Sequence, residues 1–165
     1  MKSADAVELH ERDFYQWVQQ QTEALRDRRY ADLDVERLTE EIESLGNRER
    51  REAKSRMRTV LACLLKLAYH PSVVERQQRR HSWQVVAGSA RDALEEILNE
   101  SPSLRPVISA ALEEVYKRAV KEVARLSAAP ASVFPQTCPF TMAQVLDEDF
   151  WPEPPPALNL PPDLR

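Results

Sequence analysis

From Leu33 to Pro71 the chain reads LDVERLTEEIESLGNRERREAKSRMRTVLACLLKLAYHP, with no proline before the last position and one glycine, Gly46. Apolar residues recur at helical spacing through most of this stretch, which predicts one long helix able to bend at Gly46. An uninterrupted helix of that size in a 165-residue chain obliges the remaining segments to pack on it or to follow from it.

The charges along the stretch are segregated. In its first half Val35, Leu38, Ile42 and Leu45 form a stripe, and at about 100° per residue Glu36, Glu40 and Glu43 point away from it. After Gly46 the sign reverses: residues 47–58, NRERREAKSRMR, carry six Arg or Lys against two Glu. Acid toward the N-terminus and base toward the C-terminus suits the helix macrodipole. The apolar stripe also migrates, because Met57, Leu61, Leu64, Leu65 and Ala68 lie rotated toward the side that was charged earlier. The second half, TVLACLLKLAY, is apolar nearly all round and is expected at the centre of a bundle, with Cys63 as a small buried hydrophobe. The first half is expected to be more exposed and free to bridge to another subunit.

The flanking segments read as further helices. Asp13 can cap a first helix, with Gln16 three residues on, and Phe14, Trp17, Val18 and Leu25 share its apolar face. Tyr30 to Leu33 is a short turn, after which Asp34 can cap the long helix. His70-Pro71 ends that helix. A third helix over about 74–99 then carries Trp83, Val86, Ala87, Ala90, Leu94, Ile97 and Leu98 inward, and Gly88 there would suit a close helix crossing. Ser101 or Ser103 can cap a fourth helix, whose stripe of Val107, Ile108, Ala111, Leu112, Val115, Ala119, Val123 and Leu126 runs to about Ser127. A proline-punctuated loop follows, with Phe134 and Phe140 expected against the bundle. Thr141 with Gln144 forms a capping box for a short last helix. The fold expected is therefore all-α, a helical bundle of four main helices, one long and central, plus a short C-terminal helix. Residues 1–12 read as a flexible N-terminus, 13–151 as a single helical domain, and 152–165, with six prolines in fourteen residues, as an extended tail. Trp17 and Trp83 are read as core.

Composition narrows the function classes. A chain of this length buries roughly 70% of the surface its unfolded form exposes, so it needs no staples. The two cysteines, Cys63 and Cys138, lie far apart with no metal-ligand spacing. No stretch approaches the roughly 20 apolar residues of a membrane span, and the N-terminus lacks the apolar core of a signal peptide. Cytoplasmic localisation is the expectation, without membrane attachment. Two glycines in the whole chain leave no glycine-rich phosphate loop. His10, His70 and His81 form no triad pattern with a Ser or Cys.

Three functional readings remain. Glu36, Glu40 and Glu43, with Glu41 beside them, have the helical stacking by which all-α nucleotide pyrophosphohydrolases hold Mg²⁺. A second carboxylate pair would have to come from Asp92, Glu95, Glu96 and Glu100. Arg48, Arg50, Arg51, Lys54, Arg58, Arg76, Arg79 and Arg80 can instead form a phosphate or nucleic-acid surface, joined into one if the second and third helices lie antiparallel. Glu49 and Glu52 interleave that run, and no aromatic residues alternate with the arginines to stack bases. The reading that absorbs both the charge segregation and the migrating stripe is an interaction module that self-associates or binds a protein partner. Its contact residues would be Glu40, Glu43, Arg50 and Arg51, and it needs no cofactor.

Several strings also carry a resemblance. DFYQW at Asp13–Trp17, LDVERLTEEIESLGNRERRE at Leu33–Glu52, LLKL at Leu64–Leu67, HSW at His81–Trp83, SPSLRP at Ser101–Pro106, and CPFT with VLDEDFWP near the end resemble the bacterial domain-of-unknown-function family 29. The resemblance spans about residues 13–152 in order and implies a small helical protein with no established activity. Cys63 stands where that family often has a histidine before the leucine pair, and Leu67 where a tryptophan is usual. A role for that histidine would therefore be closed to this chain.

Overall fold

The computed structural model describes residues 9–155, which are all helix, turn and loop, with no strand among them. The expected flexible residues up to position 8 and the tail from position 156 lie outside the described residues. The helices are α1 (Phe14–Arg26), α2 (Val35–Tyr69), α3 (Val73–Glu100), α4 (Leu104–Ala110), α5 (Leu112–Leu126) and α6 (Met142–Leu146), with 3-10 turns at Tyr30–Asp32 and Ala131–Val133. The fold is all-α with a long central helix, as expected: α2 is 35 residues long and helical through Gly46. The chain divides into two compact units at Arg48 and Glu49.

In the first unit, helical backbone is already present at 9–12, ahead of the cap at Asp13, and Leu9 is buried. Asp13 caps α1 by accepting the Gln16 N–H. The face that α1 buries is Trp17, Gln21 and Ala24, whereas Phe14 and Leu25 are exposed. The buried face is thus turned away from the expected apolar one, and the cause is a backbone donor. Gln21 Oε1 accepts the Asp34 N–H at 2.8 Å, satisfying the amide at the start of α2 and drawing a polar side chain inward. His10 fills the space over Trp17, edge-on to its ring at 4.7 Å. At its C-terminus α1 closes in a Schellman turn: Arg29 N–H reaches the Ala24 carbonyl and Arg28 N–H the Leu25 carbonyl. Arg28 therefore takes φ 58°, a position glycine usually fills.

The second unit is built around the rest of α2, where Ala53, Met57, Val60, Leu61, Leu64, Leu65 and Leu67 are all inaccessible to solvent. Cys63 is buried among them, and burial pushes its thiol pKa up. The hairpin of α2 and α3 is antiparallel. Arg76, near the start of α3, donates to the Ala68 carbonyl at the end of α2, while Ser101, past the end of α3, donates to Glu49 at the other end. Trp83, Ala87, Ala90, Leu94 and Leu98 form the inner face of α3. Val86 is exposed instead, and a Cβ placed on Gly88 would meet nothing within 4 Å, so that glycine marks no close crossing.

The expected fourth helix is two. At Ala111 the backbone tightens to an i→i−3 bond with Ile108, and α5 starts at the next residue. The stripe survives the break, with Ile108, Ala111, Val115, Ala119 and Val123 buried, while Val107 and Leu126 face solvent. Neither serine caps α4: Ser103 occupies the position without a side-chain bond, and Ser101 is spent on Glu49. Beyond α5, Ala128 takes φ 49° in a second Schellman turn, and Phe134 and Phe140 pack into the core as expected. The Thr141–Gln144 capping box of α6 is present in full.

Candidate interaction surface

Three apolar side chains at the start of α2 have no cover. Val35 is 63% exposed, Ile42 67% and Leu45 65%, values usual for surface lysines rather than for a helix stripe. Leu38, the fourth member, is half-buried. The cause lies in how the first unit packs. Glu41 accepts from His10 Nε2 at 3.0 Å, and with Arg37 and Leu38 it forms the side of α2 that is partly covered. Val35 and Ile42 lie rotated from that side by about a quarter turn or more and face out. Asp34 fixes the start of the stripe by accepting the Arg37 N–H at 3.2 Å.

The carboxylates flanking this stripe do not converge. Glu36, Glu40 and Glu43 are all exposed, and Glu40 is taken by Arg37 at 2.8 Å. Glu95, from the second set, pairs with Arg105. Among the described residues no group of three or more His, Cys, Asp and Glu is placed to hold a metal ion. An open groove of about 780 Å³ runs along α1 and the start of α2, past Arg12, Gln16, Glu23, Arg29, Asp34 and Glu36. Its charges are of both signs, and Arg29 within it is already shared between Asp27 and Asp32.

The basic residues are not brought together either. In an antiparallel hairpin the start of α3 lies beside the end of α2, so Arg76 sits at Ala68, about 21 Å of helix away from Lys54. Lys54 pairs with Glu114 at 2.9 Å and Arg58 with Glu122 at 3.5 Å, both on α5. The Lys54 hydrogen bond holds the Glu114 carboxyl below its usual range, with Arg118 and Arg50 adding to the field. Arg76 is buried with its guanidinium on a carbonyl, Arg79 lies 3.9 Å from Glu75, and Arg80 bonds Glu153 at 3.0 Å. Arg48, Arg50 and Arg51 stay on the surface of α2.

One buried cation escaped the sequence reading altogether. Arg91 is 2% exposed, and its guanidinium donates to the carbonyl oxygens of Gln144, Val145, Glu148 and Phe150. It also lies over the Trp151 ring at 4.5 Å. The signal was available: Arg91 stands four residues after Ala87 and three before Leu94, on the inward face of an otherwise apolar register. Neighbouring residues thus assign it to structure, whereas the stripe of Val35, Ile42 and Leu45 on α2 is a surface that packing does not explain.

No helix among the described residues is long and apolar enough to cross a membrane. No curated protein and no solved structure matches the chain. A family model does, over residues 9–151, so that α1 through α6 and the Arg91-bound segment all fall inside the match, and the chain belongs to the family described as Domain of unknown function DUF29.

Proposed function

We propose that this protein is a cytoplasmic interaction module that self-associates through the first half of α2. The observation that carries the reading is the stripe of Val35, Ile42 and Leu45, each about two-thirds exposed on a helix whose later turns bury Met57, Val60, Leu61, Leu64, Leu65 and Leu67. Leaving three aliphatic side chains in water forgoes on the order of 1.5–3 kcal/mol each relative to full burial, and a partner surface would recover part of that. Charges of opposite sign on either side of Gly46 offer orientation and specificity without chemistry. Two free thiols far apart in sequence fit a reducing compartment.

Sedimentation velocity over a hundredfold range of protein concentration tests the proposal. The unsubstituted protein is expected to gain mass with concentration, and Ile42→Asp with Leu45→Asp to remain monomeric at all concentrations with unchanged helicity. A monomer throughout, or association indifferent to those substitutions, would sink it.

A further inference from the structure

The stripe on α2 is not the only apolar surface that the first unit leaves open, because α1 carries Phe14 and Leu25 exposed and Val18 half-buried between them. We infer that the two strips form one face, on which the first unit of a second copy packs to close a four-helix bundle. This rests on the self-association reading and names the surface that carries it.

The strips lie on one side of the unit. α1 and α2 run antiparallel, since Gln21 bonds the Asp34 amide at one end and His10 meets Glu41 at the other. Counted at about 100° per residue from the middle of the buried face of Trp17, Gln21 and Ala24, the residues Phe14, Leu25 and Val18 lie about 50–90° round. Counted likewise from the partly covered side of α2, Ile42 and Val35 lie about 90–110° round in the same sense, with Leu45 nearer that side. In an antiparallel pair, equal senses of rotation lead to the same side. Neither arc holds a charged residue of α1 or of the first three turns of α2.

Area decides between one helix and two. At about 150–200 Å² for a fully exposed residue of this size, Val35, Ile42 and Leu45 offer roughly 300 Å² of apolar surface. Phe14, 49% exposed, and Leu25, 47% exposed, raise that to roughly 500 Å². A standard stable contact takes about 800 Å² from each partner, of which about 60% is apolar. The stripe of α2 alone falls short of that, and the two-helix face meets it.

The core of the unit points to a second copy as the occupant. Up to Arg48, the buried residues among those described are Leu9, Trp17, Gln21 and Ala24, one of them polar. Units under roughly 70 residues need a disulfide, a metal or another chain to complete so small a core. Both cysteines are free and belong to the second unit. A face without charge offers nothing by which to select a partner of opposite charge, whereas a second copy brings an apolar face of the same size and closes the contact about a two-fold axis.

Hydrogen exchange, read peptide by peptide on the unsubstituted protein below and above the concentration at which it associates, reports on α1 directly. Amides of 14–26 are expected to slow by about tenfold in the associated form, whose mass should stop at two copies. Leu25→Glu and Leu25→Lys should each weaken association by about tenfold with unchanged helicity, because burial and not the sign of the charge is at stake. Gln16→Glu and Gln20→Glu, on the opposite flank of α1, should leave it unchanged.

If Ile42→Asp with Leu45→Asp abolishes association while the Leu25 variants and the exchange of 14–26 are indifferent to it, the two-helix face is overturned and self-association through α2 stands. Growth past two copies overturns the closed bundle in the same way. A protein that is monomeric at every concentration, with constant exchange in α1, overturns both.

Discussion

Arg91 donates its Nε–H to the carbonyl oxygen of Val145 at 3.0 Å, across 54 residues of sequence. The rest of the guanidinium is spent on three more carbonyls of the same C-terminal segment, so one side chain from α3 fixes α6 and the residues after it. Burial lowers the pKa of the group, but four acceptors and the Trp151 ring compensate a cation that cannot discharge near neutrality.

Removing that side chain should be severe. Arg91→Met is expected to cost about 2–4 kcal/mol, because it strips the donors from several carbonyls at once. Arg91→Lys should recover little, since an ammonium cannot reproduce a planar fork. Urea unfolding followed by circular dichroism measures both, and a loss under about 1 kcal/mol for Arg91→Met would show the clamp to be dispensable.

Two opposite exchanges should each stabilise the second unit. Gly88→Ala places a methyl group where nothing lies within 4 Å, in a helix interior, and is expected to add about 1 kcal/mol. Ala128→Gly relieves a residue held at φ 49° and should add a similar amount, about 1 kcal/mol. Thermal melts at one protein concentration check the pair, and a fall in melting temperature for either would contradict the backbone argument.

Acid should weaken the fold through His70. Its imidazole is buried against Trp83, with Nδ1 3.4 Å from the Ser72 carbonyl and Nε2 3.8 Å from Glu75, while Lys66 and Arg76 add positive field. Burial is the largest effect and holds its pKa below the ordinary 6.5. The unfolded chain therefore takes up the proton first, so this contribution is intact above about pH 6.5 and is lost as pH falls below it. The denaturant midpoint of the unsubstituted protein should drop between pH 7.5 and pH 5.5, and His70→Gln should flatten that dependence. Equal slopes in both proteins would assign the acid sensitivity elsewhere.

The thiols should be slow. Cys63 is buried in the core, and Cys138 is half-buried with its Sγ–H on the Phe140 carbonyl; burial raises both pKa values, so little thiolate forms. An aromatic disulfide reagent at pH 7.5 is expected to label neither within the time that saturates both in urea. Rapid labelling of Cys63 in buffer would contradict a close-packed α2.

What could be read from the sequence was what is local. Thr141 and Gln144 announce their capping box because both partners lie within one turn, and the apolar run of α2 announces its own burial. The Gln21–Asp34 bond was not legible, since its donor is a main-chain amide and any residue offers one. Arg91 was hidden for the same reason: its acceptors are carbonyls, and only its place in the α3 register marks it. The distance between the basic runs of α2 and α3 was not legible either, because an antiparallel hairpin carries the start of one helix to the end of the other. For the candidate surface, the sequence placed the Val35–Leu45 stripe, but its exposure depended on where α1 and His10 pack, which no local pattern states.

The Arg91 contacts also bear on how the chain is made. During synthesis α3 leaves the ribosome well before residues 144–150 exist, and domains emerge N-terminus first. Until those carbonyls arrive, the guanidinium has to remain in water, and the pocket it will occupy cannot close around it. The second unit therefore closes in two stages: its core can collapse along α2 while the chain is growing, but Arg91 is buried only once residues 144–150 have been made.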